Sequence, residues 1–377
     1  MRRSELQTPA LLVDETRFER NVGRMNARLA RLRVPLRPHL KTVKNIELAR
    51  RMLAGHPGGA TVSTLAEADH FFDAGIDDLL YAVGIAPGKI EDVARRIGRG
   101  MNLTLVLDHP ETARAVADAA RRLDVPFRVL LEVDADGQRA GFRPDDPGLI
   151  ESARRLERGG ALPAGVMVHA GGSYACRDRA GLVEIAKQER DVAVAAAGAL
   201  REAGFEAPVV SAGSTPTALF ADDLAGVTEV RAGVYAFMDL VMAGLGVCEI
   251  DEIAVSVLTE VIGHRRAPGE VLIDAGWMAL SRDRGTAGQA VDRGYGVVCD
   301  DAGRVLAPEV IVRATHQEHG LLARRDGEPL DLAGFPIGRR LRILPNHACA
   351  TAGQFERMWW IDAGAASIEP LDRCRGW

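Results

Sequence analysis

The chain has 377 residues, more than one hydrophobic core ordinarily holds, so a large barrel with a second domain, or two domains of similar size, is expected. Its 47% hydrophobic and 26% charged residues are globular averages and exclude a disordered chain or a coiled coil. A formal net charge of -5 with no basic run argues against nucleic acid or an anionic membrane as partner and leaves small-molecule chemistry.

In chain order, Leu11–Asp14 reads as a short strand and Glu15–Leu32 as an amphipathic helix. From residue 35 to 237, β-branched runs then alternate with helical stretches, the signature of βα units. The strand candidates are Leu36–Lys41, Ala60–Ser63, Leu79–Val83, Leu103–Asp108, Phe127–Asp134, Ala164–Ala170, Val209–Gly213 and Val230–Phe237. Between them lie helical patterns such as Asn45–Leu53, Leu65–Ala74, Glu111–Leu123 and Ala180–Ala203. Eight such strands fit a TIM-like (β/α)8 barrel, assigned to residues 15–245. Beyond it, Ile253–Ile262, Glu270–Ala275, Gly296–Cys299, Val310–Ala314, Leu341–Leu344 and Met358–Ile361 follow one another, with turns at 267–269 and 301–303. They read as an antiparallel β-domain of residues 246–377. Residues 1–14 are assigned to it as well, because their strand has nowhere to pair in a closed barrel.

Five scattered cysteines without a CxxC pair suit a reduced compartment, and no apolar run is long enough for a membrane span or a signal-peptide core, so a cytoplasmic protein with no membrane partner is expected. Of the 47 Lys+Arg, only Lys41, Lys44, Lys89 and Lys187 are lysines. Lys89 and Lys187 fall in helical stretches and Lys44 lies past a strand end. Lys41 closes the first barrel strand, where catalytic groups of such barrels gather, and alternation puts His39 on its side. A lysine held in a barrel mouth is suited to carbonyl chemistry, either on a substrate carbonyl or on pyridoxal phosphate. The loop Ser211–Thr217 and the segment Arg231–Tyr235 follow the last two strands, the usual phosphate site, so Ser214, Thr215, Gly233 and Tyr235 are candidates for it, although Ser214–Thr215 alone would equally serve as a helix N-cap. In the β-domain, His347 and Cys349, two apart on an expected strand, would face one way and could share a soft divalent ion. A packed thiol beside a core histidine is the commoner meaning of that spacing. Gln317–Gly320 reads as an exposed turn.

Taken together, "RPHLKT" at 37–42, "HAGGSY" at 169–174, "GSTPT" at 213–217, "RAGVYAFMD" at 231–239, "DAGWMALSRDRG" at 274–285, "QEHG" at 317–320 and "PNHACAT" at 345–351 make the chain resemble the D-serine dehydratase family. These are pyridoxal 5'-phosphate enzymes with an alanine racemase-like, fold-type III barrel. The resemblance implies that Lys41 carries the cofactor and that Ser214, Thr215, Gly233 and Tyr235 surround its phosphate. It also implies that His39, Arg139 and Tyr174 lie near the cofactor and that His347 and Cys349 bind a divalent metal, zinc ahead of manganese, cobalt or magnesium. The implied reaction is elimination from a D-3-hydroxy amino acid, D-threo-3-hydroxyaspartate or D-serine, to a 2-oxo acid and ammonia, catalysed by a homodimer.

Two family histidines are absent where this chain has Val43 and Gly172. The branch acting on D-threo-3-hydroxyaspartate lacks them too, and the segment 277–285 looks especially like that branch. A distal carboxylate would call for a cation, with Arg282 and Arg284 as candidates. The rival activities are retro-aldol cleavage of the D-threonine aldolase type, whose metal pair is His-x-Asp, and racemisation with Tyr295 as second base. A pyridoxal-phosphate carrier without catalysis would leave the β-domain unexplained.

Overall fold

In a computed structural model that describes residues 2–56, 58–306, 310–361 and 368–377, the βα alternation becomes eight parallel strands with helices between them. The strands are β2 (Leu36–Pro38), β3 (Ala60–Val62), β4 (Asp78–Gly84), β5 (Asn102–Leu107), β6 (Arg128–Val133), β7 (Leu162–Val168), β8 (Val209–Ala212) and β9 (Glu229–Ala232), preceded in the chain by β1 (Ala10–Asp14). The helices are α1 (Glu15–Leu32), α2 (Ile46–Leu53), α3 (Leu65–Asp73), α4 (Ile90–Gly98), α5 (Pro110–Leu123), α6 (Pro147–Arg158), α7 (Arg179–Glu202) and the one-turn α8 (Thr215–Phe220). Local chemistry starts five of these helices where they start. Asn45, Thr64 and Asp178 cap α2, α3 and α7 through their side chains, and Pro110 and Pro147 open α5 and α6.

The chain divides into two compact units, Met25–Gly233 with Cys374–Trp377 and Met1–Arg24 with Val234–Arg373. The division falls within α1 and directly after β9. Residues 15–24 and 234–245 therefore group with the β-rich unit and 374–377 with the barrel, the reverse of the sequence assignment. The barrel sheet runs β2-β9-β8-β7-β6-β5-β4-β3. Its interior is filled by Leu80, Val106, Leu130, Ala164 and Met167. Between β2 and β3 there is only an isolated bridge, His39 to Thr61.

The β-rich unit holds β1 and eight further strands: β10 (Val255–Arg265), β11 (Glu270–Ile273), β12 (Val297–Asp300), β13 (Val310–Thr315), β14 (Gly320–Arg324), β15 (Arg340–Leu344), β16 (Arg357–Ile361) and β17 (Ile368–Asp372). Their order is β11-β14-β13-β12-β15-β10-β1-β16-β17, and an added β10–β11 pairing closes six of them into a ring. The N-terminal strand joins this unit as expected, antiparallel to β10 and parallel to β16. Three short helices complete it: α9 (Leu240–Gly244), α10 (Trp277–Leu280) and α11 (Ala348–Ala352). Among the described residues no helix is long and apolar enough to cross a membrane.

Candidate active site

Strand β2 ends at Pro38, short of the expected Lys41, and Leu40–Val43 form a turn. Within that turn Leu40, Thr42 and Val43 are fully buried, and Lys41 is exposed. The anticipated strand alternation that would align His39 with Lys41 is therefore absent, because Pro38 and the bridge at His39 finish the strand first. Among the described residues Lys41 Nζ has no hydrogen bond or ion pair, whereas Lys44 Nζ lies 3.0 Å from the carboxylate of fully buried Glu67. Lys89 Nζ is 3.4 Å from the Tyr81 hydroxyl.

Two neutral imidazoles adjoin Lys41 electrostatically. Burial, then the positive charges of Lys41 and Arg231, push the His39 ring well below its ordinary pKa. Its Nδ1 is buried with no hydrogen-bond partner among the described residues, and its Nε2 lies 3.5 Å from Ser63 Oγ. The His169 ring is pushed down to about 3, chiefly by burial. Its Nδ1 lies 3.1 Å from the Gly213 carbonyl, which can only accept, so Nδ1 carries the proton and Nε2 is left as an acceptor. The Tyr174 ring sits 6.1 Å from that of His169 on an exposed one-turn 3-10 helix, and Arg139 is exposed in the loop after β6.

The two expected phosphate segments come together. Gly213 has φ +122°, and a Cβ there would stand 2.8 Å from the Arg231 carbonyl oxygen; one at Gly233 would stand 2.8 Å from that of His39. Both backbones thus approach closely in a way only glycine allows. Ser214 caps α8, accepting from the Thr217 amide at 3.2 Å, and its Oγ is 3.4 Å from buried Ser173 Oγ. Thr215 is buried beside it. An orphaned ring nitrogen, a glycine-lined cradle of hydroxyls and an unpaired lysine amine are the features that suit a phosphorylated carbonyl cofactor. Tyr235, fully buried with its phenol pKa pushed up by burial, belongs to the β-rich unit.

Sequence reading missed the groups that hold this end of the barrel. Arg231, fully buried, donates to Ser211 Oγ at 2.6 Å and to the Val168 carbonyl at 2.7 Å. Glu189 accepts from the Ala170 amide at 2.7 Å, and burial raises its carboxyl pKa. The available signal was position: Glu189 interrupts the buried stripe Leu182, Ala186, Ala193 of α7.

In the β-rich unit, β15 ends at Leu344 and the expected strand through His347 and Cys349 is instead a turn entering α11. Asn346 directs the chain away, donating to the Gly294 carbonyl at 2.6 Å and accepting from Thr286 Oγ1 at 3.0 Å. His347 takes the position before the first helical residue and Cys349 the first turn, and their side chains are hydrogen-bonded to each other. His347 Nδ1 donates to Asp283 Oδ2 at 2.7 Å. Burial disfavours the charged ring, but the bonds to Asp283 and Cys349 outweigh it and hold its pKa up to about 11. Buried Asp239, also missed by sequence reading, accepts from the amides of Ala348 and Met242, each at 2.9 Å, and so ties this turn to α9.

No group of three or more His, Cys, Asp or Glu side chains arranged for a metal occurs among the described residues. The imidazole and thiol of His347 and Cys349 are nonetheless donors that suit a borderline-soft divalent ion with open positions. Arg284 is engaged with Asp292 at 2.6 Å and with the Tyr295 ring, whereas exposed Arg282 lies over Trp277 at 4.0 Å without a carboxylate partner among the described residues. Gln317, Glu318 and His319 form the anticipated exposed bend.

Residues 13–241 match the family model of the alanine racemase N-terminal domain, and residues 254–361 match that of the serine dehydratase domain. The chain belongs to this family. It is 48% identical to D-threo-3-hydroxyaspartate dehydratase of Delftia sp. (strain HT23), over 99% of this chain and 98% of that protein. The Delftia structure superposes with a TM-score of 0.96, covering 99% of each chain. A cysteine-to-alanine mutant of D-threo-3-hydroxyaspartate dehydratase in the metal-free form matches equally, with a TM-score of 0.96, 48% identity and 99% of each chain covered. D-serine dehydratase of Dictyostelium discoideum is 31% identical over 93% of this chain and 92% of its own.

Proposed function

We propose that this family member is a pyridoxal 5'-phosphate- and divalent-metal-dependent dehydratase of D-3-hydroxy amino acids, with D-threo-3-hydroxyaspartate preferred to D-serine. The observation that carries the reading is the His347–Cys349 pair, brought together by a turn that Asn346 and Asp239 fix. Racemisation has no use for soft metal donors, whereas expelling a hydroxide does. The names of the Delftia and Dictyostelium relatives, and a metal-free form of a relative lacking one cysteine, support the same reading.

Lys41, with Ser214, Thr215 and Gly233 at the phosphate end and His39, His169, Arg139 and Tyr174 around the mouth, would hold the cofactor. When bound, it supplies an electron sink for the charge left on Cα. Lys41 Nζ, which the other side chains leave unpaired, then takes the Cα proton. His169 stays neutral and presents Nε2 only as an acceptor, so it does not compete as an acid. His347 and Cys349 would hold the metal, zinc before manganese, cobalt or magnesium, which supplies Lewis acidity toward a departing hydroxyl. In 3-hydroxyaspartate the hydroxyl and the distal carboxylate share one carbon, so the cation that reads the carboxylate belongs beside the metal ligands. Arg282 adjoins Asp283, the partner of His347, and of the two candidate arginines it is the one without a carboxylate partner among the described residues.

The test is ammonia release from D-threo-3-hydroxyaspartate, D-serine, D-threonine and their L forms, before and after chelation. The expected result is a 2-oxo acid and ammonia from the D-hydroxy acids, lost on chelation and restored by added metal. Glycine and an aldehyde as products would establish retro-aldol cleavage instead, and interconversion of enantiomers would establish a racemase.

A further inference from the structure

The second lysine of the pair, Lys44, has no part in the chemistry above, yet it is one of only four lysines in an arginine-rich chain. Its surroundings are confined to the barrel unit. Every other pair of neighbouring barrel strands forms a backbone ladder, but among the described residues the backbones of β2 and β3 pair only at the bridge from His39 to Thr61. The seam of the barrel therefore lies at the start of the turn that carries Lys41. The Leu40 amide, donating to the Thr61 carbonyl at 2.9 Å, belongs to that bridge. Side chains close the seam around it: Thr61 Oγ1 donates to the Arg37 carbonyl at 3.5 Å, Arg37 Nη1 to the Ala60 carbonyl at 3.4 Å, His39 Nε2 lies 3.5 Å from Ser63 Oγ, and Lys44 Nζ meets Glu67 Oε1 at 3.0 Å. The Cys374 amide donates to the Lys44 carbonyl at 2.7 Å. Glu67 has no exposed side-chain surface and also accepts from the Ser63 amide, at the end of β3, at 2.8 Å. Its carboxylate thus joins the end of β3 to the far end of the Lys41 turn.

A carboxylate so buried is stable only when paired, which fixes where Lys44 must be. The Lys44 amide in turn donates to the Leu40 carbonyl at 2.8 Å, and Lys44 adopts φ +47°. Both ends of the turn are anchored, and the exposed Lys41 side chain has no partner among the described residues. Resting on the proposed function of Lys41, we infer that the Lys44–Glu67 ion pair is a positioning device that closes the barrel seam and sets the place of the cofactor lysine.

The experiment titrates the apo-protein with pyridoxal 5'-phosphate, following the visible band and the rate of borohydride trapping on Lys41 by peptide mass analysis. The wild type is compared with Lys44→Met, Glu67→Gln, the double variant and Lys44→Arg. Folded single variants, judged by circular dichroism, are expected to bind the cofactor at least about tenfold more weakly and to trap on Lys41 correspondingly slower, since small misplacements of a reacting group carry penalties of that order. The double variant should lose less than the two single losses combined, and Lys44→Arg, which keeps the charge, should recover most of the affinity. Folded variants with affinity and trapping rate within about twofold of wild type would overturn the inference. If Glu67→Gln does not fold, Lys44→Met decides, and if neither folds the pair is purely structural and the inference also fails. Wild type that takes up no cofactor would instead refute the proposed function.

Discussion

Single side chains of this protein carry their roles through the state in which the fold holds them. His169 is neutral because burial outweighs the bond from its Nδ1 proton to Gly213, which favours the charged ring, and the charges of Arg139, Arg231 and Lys41 add to the burial. Its folded pKa lies below the unfolded 6.5, so the unfolded chain binds more protons between the two values. Stability is full above the unfolded pKa and falls as the pH drops from there toward about 3, by up to about 1.4 kcal/mol per pH unit for one proton. His169→Gln should flatten this acid limb in denaturant titrations at a series of pH values; an unchanged slope would mean the ring is not held neutral. With a metal in place of the proton on Nε2, Asp283 would keep the other proton of His347 on Nδ1, and partners of that kind are worth about 10–100-fold in metal affinity. Asp283→Asn should weaken the metal by that factor in competition with a chromogenic chelator, and equal affinity would remove its role. Arg282→Ala should lower kcat/KM for D-threo-3-hydroxyaspartate by about 10–100-fold while changing that for D-serine little, since hydrogen bonds between charged groups are worth about 1.5–3 kcal/mol. An equal loss on both substrates would assign Arg282 to something other than the distal carboxylate. Lys41 could be proposed from the sequence because lysine is rare there and the βα rhythm gave it an address. Asp239, Asp283 and Glu189 were not, because a buried carboxylate is told from a solvated one only by the backbone amide or ring it meets.

At the scale of elements, glycine positions decide whether the proposed phosphate loops can form. A Cβ at Gly233 meets the His39 carbonyl oxygen, a backbone atom that cannot yield, while one in the middle of α7 at Gly198 meets nothing within 4 Å. Gly233→Ala should therefore cost about 1–3 kcal/mol in thermal or denaturant unfolding and most of the cofactor affinity. Gly198→Ala should be neutral or stabilising by about 0.5–1 kcal/mol. Equal behaviour of the two would deny the loop its close approach. The same scale shows why parts of the fold were not legible. Strand β17 carries Pro370 and reads as a breaker, yet it is an edge strand pairing only with β16, where a missing amide is tolerated. Strand β14 begins at a glycine directly after a polar bend and offers too short an apolar run to separate from the turn. The segment after Asn346 alternates as a strand would, but the Asp239 carboxylate claims the Ala348 amide and starts a helix instead.

Across the whole molecule the chain order and the spatial order disagree at one point of consequence, the N-terminal strand. Strand β1 enters the interior of the nine-stranded sheet, between β10 and β16, although it precedes the barrel in the chain, and the rest of that sheet follows more than two hundred residues later. Leu11, Leu12 and Val13 are fully buried, and each such side chain contributes about 1.5–3 kcal/mol. With ladder hydrogen bonds on both edges, that sum is comparable to the about 5–15 kcal/mol by which a domain is ordinarily stable. Removal of residues 2–14 should therefore unfold the unit that bears His347 and Cys349, not merely loosen one edge. Two tryptophans report on it directly, since Trp359 and Trp360 lie on β16 opposite Leu12 and Val13. The truncated chain should show red-shifted tryptophan emission, rapid proteolysis within residues 255–361 and no retained metal. Unchanged emission with a cooperative melt would show that β10 and β16 can close the sheet without β1.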